Sequence, residues 1–129
     1  APRDRIARLY ADDFADLFGF ALPLLRNRLE AGDDIETATT MLYLALLARW
    51  PDSHLLRKFG DSAAQTVTRE AADLRIRLRA EPVAANRHAL LLDWDKRLKQ
   101  QGFNPGTSAD LTVATLFAHG LMQMQEALA

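Results

Sequence analysis

Two short stretches hold the residue types that could do chemistry: "PDSHLLRKFG", Pro51 to Gly60, and "NPGTSADLTVATLF", Asn104 to Phe117. In the second, Pro105 and Gly106 break the chain, and Thr107 followed three residues later by Asp110 makes a variant of the capping box. Such residues start a helix in any protein. The same geometry turns the backbone N–H groups of Gly106, Thr107 and Ser108 out of a helix N-terminus, where phosphate binds. Asp110 repels that phosphate unless a divalent cation or a lysine stands between them, so an acid beside an anion site points to magnesium and a nucleotide. In the first stretch Ser53, Arg57, Gly60 and Ala64 fall at steps of four, three and four, which predicts one shared helical face. Its small residues let a ligand or another helix approach Arg57, whose guanidinium suits forked phosphate contacts, with Asp52 at the mouth of that face. The plainer reading is a helix N-terminus capped by Asp52 or Ser53, with Gly60 as a packing residue. Spacing alone leaves both readings open.

Other chemistry-bearing residues point elsewhere. Asp93 and Asp95 lie two apart on a predicted helix and so point away from each other, and each has a basic residue four positions on, Arg97 and Lys99. That is the pattern of a solvated face. His54, His88 and His119 have no paired metal-ligand spacing, so only His54, inside the polar cluster, is a candidate ligand contact. Trp50 and Trp94 are expected in the core.

The elements that position these residues read as helices throughout. Ile6, Leu9, Tyr10, Phe14, Leu17 and Phe18 recur at helical steps and predict a first helix from Arg3 to about Phe20. Pro23 starts a short second helix that ends at Gly32, and Asp33 or Asp34 caps a third running to about Arg49. The apolar "MLYLALLA" within it predicts a buried centre. A fourth helix fills the stretch up to about residue 80, including the alternating "LRIRLR", which lacks a second alternating segment to pair with as a strand. A fifth covers about Val83 to Gln101 and stops at Gly102, and the last runs from Ser108 to about Leu128. The expected fold is all-α, a single-domain bundle of about six helices over residues 1–129.

Composition narrows the function classes. With 16 Lys and Arg against 17 Asp and Glu, there is no global positive field to drive nucleic-acid binding. The absence of cysteine removes disulfides, thiolate metal sites and a cysteine nucleophile. The longest apolar run falls far short of the roughly 20 residues that span a bilayer. Neither a membrane nor nucleic acid is an expected partner, and a cytoplasmic setting fits. The chain begins at Ala1 rather than a methionine, which suggests a processed or truncated piece.

Taken together, "DSHLLRKFG" and "NPGTSADLTVATLF" resemble the C-terminal half of the triphosphoribosyl-dephospho-CoA synthase family. The resemblance implies a helical enzyme that joins the ribose of ATP to a ribose hydroxyl of 3'-dephospho-CoA and releases adenine. Its product would be a precursor of the acyl carrier protein prosthetic group of citrate lyase or malonate decarboxylase. Positive charge builds at the anomeric carbon as adenine leaves, so Asp52 or Asp110 is implied as the catalytic carboxylate, or as a magnesium ligand. Arg57 and Lys58 are implied to hold the triphosphate, with Ser53 and His54 beside them, and Asn104 and the N–H groups of Gly106, Thr107 and Ser108 to position phosphate or ribose. The Pro-Lys-Pro-Gly loop that marks the family's first half does not occur in these residues. The expected partners are therefore ATP, the acceptor, a missing N-terminal half or partner subunit, and a second copy if the chain forms a homo-oligomer. Two alternatives stay open: a related phosphoribosyl transferase with another acceptor, such as a pterin-cofactor precursor, and a non-catalytic helical module that binds a nucleotide or a partner.

Overall fold

The structure, a computed structural model, describes residues 15–129. Among them all regular structure is helical, as the periodicity predicts. A π-helical turn, Leu17–Ala21, leads into six α-helices: α1 Leu22–Glu30, α2 Ile35–Arg49, α3 Ser53–Phe59, α4 Asp61–Ala80, α5 Ala84–Gln100 and α6 Gly106–Leu128. The first part of the helix predicted from Arg3 lies outside the described residues. Its remainder does not stop at Phe20 but passes through the π turn into α1 without a break. Pro23 has no N–H to offer the ladder and its ring crowds the carbonyl four residues back, so a wider turn directly before it suits the proline.

Contacts divide the described residues into two compact units, one of residues 15–42 and 110–129 and the other of Tyr43–Ala109. In the first, Leu17, Ala21, Leu22 and Leu25 bury one side of the π turn and α1, and Ala38, Met41 and Leu42 bury the N-terminal half of α2. Asp34 caps α2 by accepting the Thr37 N–H at 2.7 Å. That bond holds the Asp34 carboxyl below its ordinary value.

In the second unit the end of α2 is buried on every side through Leu44, Ala45, Leu46 and Leu47, which realises the reading of "MLYLALLA" as a bundle centre. Ala64, Val67, Ala71, Leu74 and Leu78 form the buried stripe of α4. The helix packs on α5, where Trp94 is buried and its indole N–H donates to Glu70 Oε2 at 3.0 Å. Trp50, expected in the core, is only half-buried, with the Arg49 guanidinium 4.7 Å from its ring centre. Asp93 and Asp95 form the predicted i,i+4 pairs with Arg97 and Lys99 on an exposed face.

The fourth predicted helix is in fact two. Gly60 closes α3 and opens α4 with φ +92 and ψ 177, a conformation that only glycine adopts readily. Ser53 and Arg57 therefore lie on α3 and Ala64 on α4, and the four residues do not share one helical face. Gly102, at φ +72, ends α5 in a Schellman turn in which Phe103 N–H donates to Leu98 O and Gly102 N–H to Lys99 O.

Two outcomes follow. Gly60→Ala has open space for its methyl but not the backbone conformation, so urea unfolding should show a loss of about 1–3 kcal/mol. Because the Asp34 carboxyl is depressed in the folded state, its contribution is present above the unfolded value of 3.8 and is lost as pH falls through the lower folded value. Melting temperature followed on acidification should thus fall less in Asp34→Asn than in the parent chain.

Candidate functional site

The polar cluster is built where two helices begin. A helix start leaves its first N–H groups without partners, and α3 meets that need with Asp52. The Asp52 side chain accepts from His54 N–H at 2.9 Å and Leu55 N–H at 3.1 Å through Oδ1. Its other oxygen serves a different helix. Oδ2 accepts from both the backbone N–H and the hydroxyl of Ser108, each at 2.8 Å, 56 residues away in the chain. At the start of α6 the cap position falls to Pro105, whose carbonyl accepts the Ala109 N–H but whose ring offers no side-chain acceptor. Asp52 supplies it instead. One carboxylate, 3% exposed, thus caps two helices at their positive ends.

This arrangement corrects two expectations about α6. Thr107 does not form a capping box; its hydroxyl lies 2.5 Å from Ser53 Oγ, joining α3 to α6. The N–H groups expected to stand open for phosphate are largely engaged, Ser108 with Asp52 and Gly106 with Asn104 O at 2.8 Å. An internal carboxylate occupies the place that a bound anion was expected to take.

Around this junction the other predicted residues take distinct places. His54 packs on the backbone of Gly106, where an added Cβ would stand 3.5 Å from the imidazole Cγ. Arg57 and Lys58 are exposed on the next turn of α3; Arg57 Nε donates to Ser53 O at 3.3 Å, and Lys58 Nζ lies 5.4 Å from the Phe59 ring centre. Phe59 meets Phe103 edge to face at 4.7 Å, which fixes the end of α3 against the loop that carries exposed Asn104. The structure brings Asp52, Ser53, His54, Asn104, Gly106, Thr107 and Ser108 together within the Tyr43–Ala109 unit. Asp110 is the first residue of α6 assigned to the other unit, and its side chain is exposed.

Tyr43 is a neighbour that spacing did not single out. Burial, then the negative charges of Asp52 and Asp95, push its phenol well above the ordinary value. Within "MLYLALLA" a tyrosine reads as one more apolar residue, so no sequence signal marked it.

Residues 1–128 match the family described as ATP:dephospho-CoA triphosphoribosyl transferase. The chain belongs to that family. It is 34% identical over 97 residues to a probable 2-(5''-triphosphoribosyl)-3'-dephosphocoenzyme-A synthase of Streptococcus equi subsp. zooepidemicus, covering 75% of this chain and 32% of the relative. It is also 34% identical over 105 residues to a 2-(5''-triphosphoribosyl)-3'-dephosphocoenzyme-A synthase of Pectobacterium atrosepticum, covering 81% of this chain and 33% of the relative. The chain thus spans about a third of the length of these relatives. No solved structure matches it significantly. Both motifs that carried the resemblance lie in the helix junction that the structure assembles, apart from exposed Asp110 and the part of α6 beyond it.

Removing the shared carboxylate leaves four donors without their acceptor. Asp52→Ala should therefore lower the free energy of unfolding by about 2–4 kcal/mol in urea titration, with Asp52→Asn, which keeps one accepting oxygen, losing less.

Proposed function

We propose that this chain contributes the nucleotide-binding part of an ATP:dephospho-CoA triphosphoribosyl transferase. The observation that carries the reading is family membership across residues 1–128. In the reaction a ribose hydroxyl of the acceptor attacks the anomeric carbon of the ATP ribose. The carbon–nitrogen bond to adenine breaks with its electron pair going to adenine, and the hydroxyl proton balances the leaving base. The triphosphate stays on the transferred group, so it needs cations that hold it throughout.

Arg57 and Lys58 suit that task because they are exposed, adjacent and presented by a short helix whose start is fixed by Asp52. The Ser53 and Thr107 hydroxyls, the His54 ring and the Asn104 amide supply short polar groups for ribose or phosphate oxygens beside them. Asp52 has both oxygens committed to N–H and O–H donors, so its role is to position these groups rather than to ligate a metal. Magnesium, which binds through one or two carboxylates plus substrate phosphates, suits the exposed Asp110 better. Among the described residues no group of three or more acidic or histidine side chains gathers as a protein-only metal cage, which is compatible with a metal brought by the nucleotide. That ion would neutralise phosphate charge.

The relatives are about three times as long as their matched parts, so the acceptor contacts and the remaining catalytic groups are assigned to polypeptide outside this third. The family description favours 3'-dephospho-CoA as acceptor over a pterin-type precursor. Delivery of the product to a citrate lyase or malonate decarboxylase carrier protein, and a cytoplasmic location, complete the proposal. No helix among the described residues is long and apolar enough to cross a membrane.

Isothermal titration with magnesium-ATP tests the reading. Binding should need the metal, weaken about tenfold or more in Arg57→Ala, and lose most of its magnesium dependence in Asp110→Asn. Magnesium-independent binding, or binding indifferent to Arg57, would overturn these assignments.

A further inference from the structure

Among the described helices α6 is the longest, and its burial is unusual. The buried positions of α6 are hydroxyls, Ser108, Thr112 and Thr115: Thr112 is 6% exposed and Thr115 fully buried, with Thr115 Oγ1 donating to Leu111 O of its own helix at 2.7 Å. The outward positions Val113, Phe117, Leu121, Met124 and Leu128 are instead large and apolar, between 46% and 85% exposed. Their steps of four, four, three and four keep them on one face for about 22 Å of helix. At roughly 150–200 Å² per side chain they present on the order of 600 Å² of apolar surface, the upper end for a solitary monomer.

Chemistry selects the occupant. The helix carries no lysine or arginine, and its acidic residues are Asp110 and Glu126. A helix that lies on a lipid surface carries basic residues along its polar face, and one that meets nucleic acid needs cations for phosphates, so both are excluded. Around Leu121 the stripe is close to symmetric: antiparallel pairing with the same face sets Phe117 against Met124 and Val113 against Leu128. Thioether against aromatic ring is a favourable contact, and the shorter valine faces the longer leucine. Such pairing removes about 1,200 Å² in total, which reaches the lower bound of specific interfaces.

We propose that the outward face of α6 is the contact surface for a second copy of this chain, forming a two-fold dimer centred on Leu121. This interface is separate from the Asp52 junction, so it stands or falls independently of the transferase reading.

Sedimentation velocity on the full chain tests it, with Phe117→Asp and Leu121→Asp as variants and Ile76→Asp, at an exposed position on α4, as control. The parent and the control should sediment at twice the chain mass of 14.4 kDa, and both α6 variants at that mass, with unchanged far-ultraviolet circular dichroism. A parent chain that stays monomeric at all concentrations would overturn the proposal and assign the face to other polypeptide. A dimer untouched by either α6 variant would overturn it as well.

Discussion

The Asp52 carboxylate is the constraint on which the polar junction depends. Two helices that start 53 residues apart in sequence, at Ser53 and Gly106, both bring positive ends and unpaired N–H groups to one place. Without a shared anion their like-signed termini would repel and their donors would be buried unmet. A glutamate would carry the same charge on a longer arm, and an asparagine would accept through one oxygen only. A short carboxylate at the cap of α3 can accept along both directions at once.

From that bond follows a division between buried and exposed charge. Asp52 is out of water and saturated with donors, whereas Arg57 and Lys58, less than two turns away, are in water. Rigid support sits inside and exposed charge outside, where Arg57 and Lys58 touch the Ser53 carbonyl and the Phe59 ring rather than a buried carboxylate. Gly60 ends α3 directly after these residues, so the helix that presents the cations is only seven residues long. Its brevity makes its anchoring at both ends, by Asp52 and by the Phe59–Phe103 contact, matter more than its own propensity.

Much of this was legible in the sequence. Periodicity gave the described helices except at two places: the break expected after Phe20, where the chain runs on through the π turn into α1, and the division at Gly60, because a glycine inside an otherwise helical pattern can be either tolerated or a break. Asp52 was recognisable as a cap for its own helix, since capping is a local relation between residues two and three apart. Its second role was not, because a contact across 56 residues leaves no trace in local spacing. The same limit explains why Thr107 read as a capping residue when its hydroxyl in fact meets Ser53. Tyr43 was hidden inside an apolar run, and the outward stripe of α6 was hidden because periodicity shows that a face is apolar but not which way it points. The family was readable because it rests on short runs of residue identity, which survive without knowledge of the fold.

The most direct test of the shared cap is amide hydrogen exchange at His54, Leu55 and Ser108, followed by nuclear magnetic resonance. First-turn amides of a helix ordinarily exchange fast, because they lack an intrahelical acceptor. If one buried carboxylate holds all three, they should exchange as slowly as the amides of buried α4. Rapid exchange at Ser108 alongside slow exchange at His54 and Leu55 would mean that Asp52 caps only its own helix, and would contradict the account.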